Sequence, residues 1–325
     1  MKEPILCSIS TRGRYDTTLA LAIQAVINQS RPVDKLIIYD DNDNPKDLRE
    51  IQHYQYLFQI LDAKKIQWEV QFAEKKGQHY NHQKANHAGY TWVWRIDDDC
   101  VPEYNVLENL MVHATPQIGA IGGAILTPPV FPNTQQVTGL IDRIYDEPNI
   151  QWDYIKQAQR VDHLHCSFVY RAGIHDYDLN LSRVAHREET LFTYGLRQKG
   201  YEIVVVPNAV TWHLKNKEGG IRTGTEDMFN HDEKIFQNYM QFKDKTIVVL
   251  DNGMGDHLVF KKILPEIKNP VLFTCYPEII PGRSIQEARD LFGNTDQWNI
   301  YMKMDNWHWN QSLEKAFRKL YLEKK

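Results

Sequence analysis

The stretch "WVWRIDDDCVP", residues 92–102, sets three acids directly behind an aromatic and apolar run. Trp92, Val93, Trp94 and Ile96 belong in a buried strand, so Asp97, Asp98 and Asp99 emerge where that strand ends. Adjacent carboxylates repel, and part-burying them costs on the order of several kcal/mol unless a cation or hydrogen bonds compensate. A bound metal would supply that compensation. An acidic turn capping the next helix is the alternative. Position favours the first, because ligands of open α/β sheets gather at the carboxyl ends of strands, where these acids lie.

Strands and helices alternate on both sides of the acids. "PILCSIS" reads as a short buried strand, and "YDTTLALAIQAVINQS" follows with Leu19, Ala22, Ile23, Val26 and Ile27 at helical spacing. "KLIIYDDND" is a second strand that also ends in acids, so strand, helix and strand predict a parallel βαβ unit. "LREIQHYQYLFQILDAK", "IQWEVQFA" and "YNHQKANHAGY" continue as helix, strand and helix up to the acid triplet. Beyond it come a helix in "NVLENLMVHA", a glycine-containing strand in "IGAIGGAIL" and a Pro-rich turn, while residues 133–159 show no clear pattern. "HLHCSFVYRAGI" reads as a strand, "EETLFTYGLRQKG" as a helix ended by Gly200, and "YEIVVVPNAVTWHL" as one or two strands. "KNKEGGIRTGTED" has the composition of a mobile loop, and "EDMFNHDEKIFQNYMQF" that of a helix.

The chain has 325 residues and is 42% hydrophobic, enough to bury a large domain and a small one. Its formal charge of -4 gives no basic footprint for unassisted nucleic-acid binding, so a phosphate-rich ligand needs a metal or a few placed Arg and Lys. Cys7, Cys100, Cys166 and Cys275 lack zinc or redox spacing and read as reduced thiols of a cytoplasmic protein. No apolar run has the length of a secretion signal or a membrane span, so no integral membrane contact is expected.

Residues of about 4–240 resemble glycosyltransferase family 2, whose catalytic domain has the α/β nucleotide-binding fold called GT-A. Four landmarks in order carry the resemblance: "SISTRGRYDTTLALAIQAVINQS", "IIYDDND", "RIDDDCVP" at the place of the metal-binding DXD element, and "REETLFTYGLRQKGYEIVVVPNAVTWH". The resemblance implies an inverting transfer of sugar from a nucleoside-diphosphate sugar to an acceptor hydroxyl, with Mn2+ or Mg2+ on the diphosphate. It points to a glycan as acceptor first, a lipid-linked glycan next and a modified nucleic-acid base last.

The same resemblance places Asp99 as metal ligand, with Asp97 or Asp98 on the ribose or a metal-bound water; an unbroken triplet does not say which acid does which. His213 falls at a further metal or diphosphate contact, although a lone His after a strand is also an ordinary structural residue. Ser10, Arg12 and Asp41 take donor-binding positions, with an Asx turn in "DDNDNP" as the alternative for Asp41. Glu188 and Glu189 stand at the family's Glu-Asp pair. Glu189 is the candidate general base, one methylene longer than the usual Asp, while helix-dipole complementation is the other reading of either acid. Arg222 reaches the diphosphate if its glycine loop folds over the donor, and is otherwise a solvated Arg. Lys84 and His82 rank lower, on a helix that contacts donors in related enzymes.

A second start appears at "KTIVVLDNGMGDHLVFKKILPEI", which looks like the opening of a GT-B domain of the heptosyltransferase type. Too little chain follows for two facing lobes. The expected organisation is therefore a GT-A catalytic domain over 1–244 and a small accessory α/β module over 245–325. That module would bind acceptor or support a homo-oligomer, and Trp307, His308 and Trp309 would offer an aromatic sugar platform. A nucleotidyltransferase and a non-catalytic nucleotide-sugar-binding scaffold are the competing classes.

Overall fold

In the computed structural model the described residues are 3–128 and 157–242, with short pieces at 246–249, 270–274, 282–284 and 300–302. The decisive stretch forms β4 (Trp92–Asp97). Trp92, Val93, Trp94, Arg95 and Ile96 are all fully buried. Trp92, Trp94 and Ile96 pack in one apolar cluster and Val93 in a second, so the sheet is covered on both faces. That explains a near-continuous apolar run instead of an alternating one.

Four parallel strands make the first half of the sheet, in the order β3 (Gln67–Phe72), β2 (Lys35–Asp40), β1 (Ile5–Thr11), β4. The chain builds outward from β1 to β3 and then returns to lay β4 on the other side of β1. The carboxyl ends of β1 and β4 thus meet at a topological switch point, where α/β sheets bind ligands. Helices α1 (Leu19–Ile27), α2 (Gln52–Ala63) and α4 (Val106–Met111) contribute Leu19, Ile23, Leu57, Leu61 and Leu107 to the first cluster. Helices α3 (Gln78–Asn86) and α5 (Glu188–Gln198) cover the other face through Ala85, Phe192 and Leu196.

The second half continues with β8 (Ser167–Arg171), antiparallel to β4, then β6 (Ile118–Leu126), then β9 (Glu202–His213) parallel to β6. Two short strands pair antiparallel with β9: β5 (Cys100–Pro102) at its end and β7 (Gln159–Arg160) further back. Strands β1 to β4, β6 and β9 run one way and β5, β7 and β8 the other, so the sheet is mostly parallel, as expected. "YEIVVVPNAVTWH" is one strand interrupted by a bulge, since Gly123 pairs with Val206 and Ala124 with Val210.

The chain divides into two units, Met1–Lys234 and Ile235–Lys325. The division falls within α6 (Glu226–Phe242), at whose far end the sequence places its boundary. In the second unit β10 (Thr246–Val249), β11 (Pro270–Thr274), β12 (Arg283–Ser284) and β13 (Ile300–Met302) form a parallel sheet in the order β12-β11-β10-β13. The glycine turn after β10, Asp256 and the Trp307–Trp309 stretch lie outside the described residues. Among those described, no helix is long and apolar enough to cross a membrane.

Candidate active site

A cavity of about 350 Å³ opens at the switch point. Nine of the residues singled out in the sequence line it: Ser10, Arg12, Asp41, Asp97, Asp98, Asp99, Glu189, His213 and Arg222. Glu188 and Lys84 are not among them. Lys84 is half exposed and pairs with Glu74 at 2.9 Å. His82 is fully buried, 3.0 Å from the Ser8 hydroxyl.

The three acids diverge because the chain turns sharply from β4 into β5. Asp98 faces the end of β1, where its Oδ2 accepts the Thr11 hydroxyl at 2.7 Å and the Arg12 N–H at 3.2 Å. Asp97 pairs with the guanidinium of Arg95. Asp99 stands between Arg14, 2.7 Å from its Oδ2, and His213, whose Nε2 is 3.4 Å from its Oδ1. The pairing of Cys100 with His213 across β5 and β9 sets this last contact. Part of the compensation that the acids require is thus provided by Arg14, Arg95 and His213.

Burial raises Asp97 to about 7 against the pull of Arg95, and Asp98 to about 6 against that of Arg14. Burial acts on Asp99 in the same sense, but the hydrogen bond and charge of His213, joined by Arg14, outweigh it and hold that carboxyl well below the usual range. His213 moves the opposite way: burial disfavours its charge, yet Cys166 and Asp99 raise it to about 10. Asp97, Asp99, Cys100 and His213 each offer a ligand atom, all within 4.8 Å of one another, whereas Asp98 is outside this set. Burial raises the Cys100 thiol well above its ordinary value and keeps it protonated, so the set reduces to carboxylate oxygens with one imidazole, which suit Mn2+ or Mg2+, with Mn2+ more tolerant of the nitrogen.

The two glutamates at the start of α5 separate as sharply. Glu188 is 1% exposed, accepts from Gln78 at 3.1 Å and pairs with Arg95, so one buried guanidinium joins Glu188 to Asp97. Glu189 faces the cavity, its Oε1 3.4 Å from both His165 Nδ1 and the Cys166 N–H. Burial pushes Glu189 up, but His165 and Arg95 prevail and keep it ionised well below the usual carboxylate range.

At β2 the residues of the acidic run divide. Asp40 accepts the Asn42 N–H at 3.0 Å in an Asx turn, while Asp41 lines the cavity beside Gly77 N–H and Arg183. Arg12 lines the cavity, and its guanidinium turns outward to Asp43 at 3.3 Å. Ser10 accepts from Asn81 at 2.8 Å. Arg222 sits in a 3-10 turn, Gly220–Thr223, tied to the end of β1 by the Gly220 N–H on the Arg12 carbonyl at 2.7 Å. Gly219 makes this approach feasible: its φ is +74°, and a Cβ there would come within 2.6 Å of the Arg12 oxygen.

Fold and cavity together define the GT-A class of nucleotide-sugar transferase folds, with acids from the ends of β2 and β4 converging beside the end of β1. The chain belongs to glycosyl transferase family 2, which it matches over residues 9–236. Among solved structures it is similar to GalNAc-T7 with UDP, GalNAc and Mn2+, at TM-score 0.58 and 13% identity over 98% of this chain and 58% of that one. It is also similar to Staphylococcus aureus TarS 1-349 in complex with UDP-GlcNAc, at TM-score 0.51 and 13% identity over 74% of this chain and 66% of that one. This chain therefore spans less than two thirds of either structure. No curated protein sequence matches it.

Proposed function

We propose that this protein transfers a sugar from a nucleoside-diphosphate sugar to an acceptor hydroxyl with inversion at the anomeric carbon, and that the acceptor is a glycan. One observation carries the reading: Asp97, Asp99 and His213 converge on a cavity that also receives Asp41 and Glu189. The two similar folds, solved with UDP and Mn2+ or with UDP-GlcNAc, agree with a donor of this class.

Asp41 accepts from an N–H of the base or a ribose hydroxyl, and Ser10 and the Arg12 backbone border the same region. Asp98 holds the β1 end in register through Thr11 and Arg12. Asp97, Asp99 and His213 would hold a divalent cation, which when bound would draw off negative charge developing on the leaving diphosphate. Arg14 and Arg222 also line the cavity and add positive charge to it. Glu189, ionised, takes the proton of the acceptor hydroxyl as it attacks opposite the diphosphate. Arg95 serves this step indirectly by fixing Glu188, the first residue of α5, against β4.

A thermal-shift series with UDP-, GDP- and dTDP-sugars tests donor binding, since a ligand of the native state raises its stability. One of these donors should stabilise the protein with Mn2+ present and lose its effect with chelator or in Asp99→Asn. Equal stabilisation with and without metal would reassign the diphosphate to Arg14. No response to any donor would reject the reading.

A further inference from the structure

Beside the carboxylates lies a donor set of different chemistry. His165, Cys166 and His213 each offer one ligand atom, all within 4.8 Å of one another. His165 and His213 line the cavity, their ring centroids 5.7 Å apart, and the thiol of Cys166 is fully buried beside them.

The backbone is bent to place this set. Consecutive residues of a strand project to opposite faces, which would separate His165 from Cys166. Instead Cys166 has a φ of +40°, and the Ser167 N–H donates to the His165 carbonyl at 2.6 Å, closing a three-residue turn just before β8. Such a conformation costs a non-glycine residue about 1–3 kcal/mol and persists where surrounding structure imposes it. His213 arrives independently, from the far end of β9. Its Nε2 faces Asp99, while its Nδ1 is buried without a hydrogen-bond partner.

Thiolate and imidazole select borderline and soft ions, whereas Mn2+ and Mg2+ favour oxygen. We propose that His165, Cys166 and His213 form a binding site for a Zn2+-class ion, adjoining the carboxylate set and meeting it at His213. Three protein ligands leave a fourth position of a tetrahedral ion toward the cavity. The expected consequence is that Zn2+ antagonises Mn2+-dependent donor binding; this consequence rests on the function proposed above, whereas the site itself does not.

Co2+ reports thiolate ligation through an intense near-ultraviolet charge-transfer band that carboxylate and imidazole ligation does not give. Titrated into the reduced full-length protein without nucleotide, Co2+ should produce a saturable band that Zn2+ displaces. The band should disappear in Cys166→Ser and persist in Asp99→Asn, there saturating at higher Co2+ because Asp99 is the outer partner of His213. In His165→Asn, Zn2+ affinity should fall at least as much as when a ligand's outer partner is removed, about 10–100-fold. Absence of the band in the wild type, its survival in Cys166→Ser, or its loss in Asp99→Asn would overturn the site. Should Cys166→Ser fail to fold, an unchanged Zn2+ affinity in His165→Asn overturns it alone. None of these results bears on the nucleotide-sugar reading, because no nucleotide is present.

Discussion

Asp98 gives its charge to the end of β1 and to Arg14, Asp97 pairs with the buried Arg95, and Asp99 lies between Arg14 and His213. An unbroken run of acids conceals this division, since like residues in sequence carry no sign of where each side chain turns. The cations were partly legible. Arg95 interrupts a run of aromatic and apolar residues, and a charge in a strand buried on both faces requires a partner. Arg14, two residues after Arg12, gave no such signal, because only the fold shows which of the two turns inward. The "HLHC" run reads in sequence only as the start of a strand, and the nearness of His165 to Glu189 depends on a turn that no local pattern announces.

Two predictions belong to single side chains. Glu189→Gln removes the basic charge while keeping size, so turnover should fall by roughly two or more powers of ten with donor affinity unchanged. Steady-state kinetics beside a donor-binding titration check this, and near-normal turnover would move the base elsewhere. Metal binding should also depend on pH. Asp97, raised to about 7, and His213, raised to about 10, carry protons that a cation must displace. Affinity for Mn2+ should therefore climb as pH rises through about 7, with proton release visible in calorimetry across buffers of different ionisation enthalpy. A flat profile would exclude both residues as ligands.

Among the elements, those with a strong period were read nearly to the residue. "IGAIGGAIL" is the whole of β6, and "EDMFNHDEKIFQNYMQF" the whole of α6. β5 escaped because three residues carry no period; it exists through pairing with the end of β9, more than a hundred residues away in sequence. That pairing sets His213 beside Asp99, so part of the site was invisible for the same reason as the strand. The bulge in β9 has a sequence trace in Pro207, which cannot donate to a ladder. Opposite it, a Cβ on Gly123 would stand 1.8 Å from the Ala209 carbonyl oxygen. Gly123→Ala should consequently cost about 1–3 kcal/mol in urea unfolding and weaken metal binding through displacement of β9. Unchanged stability would show that the bulge does not depend on the close approach.

On the scale of the molecule, the first unit holds every described residue of the cavity, at the point where β4 returns beside β1. Parallel strands with acids at their carboxyl ends followed from the order of strands and helices; the switch point and the antiparallel β8 between β4 and β6 did not, since strand order and direction are properties of pairing. The central claim is that carboxylates at this switch point cleave a nucleotide sugar. Product analysis after incubating the protein with Mn2+ and UDP-, GDP- or dTDP-sugars tests it most directly, with water or an added glycan as acceptor. The account predicts release of nucleoside diphosphate from one of these donors by the wild type, and none by a folded Asp99→Asn. Release of pyrophosphate, no cleavage of any donor, or undiminished cleavage by Asp99→Asn would contradict it.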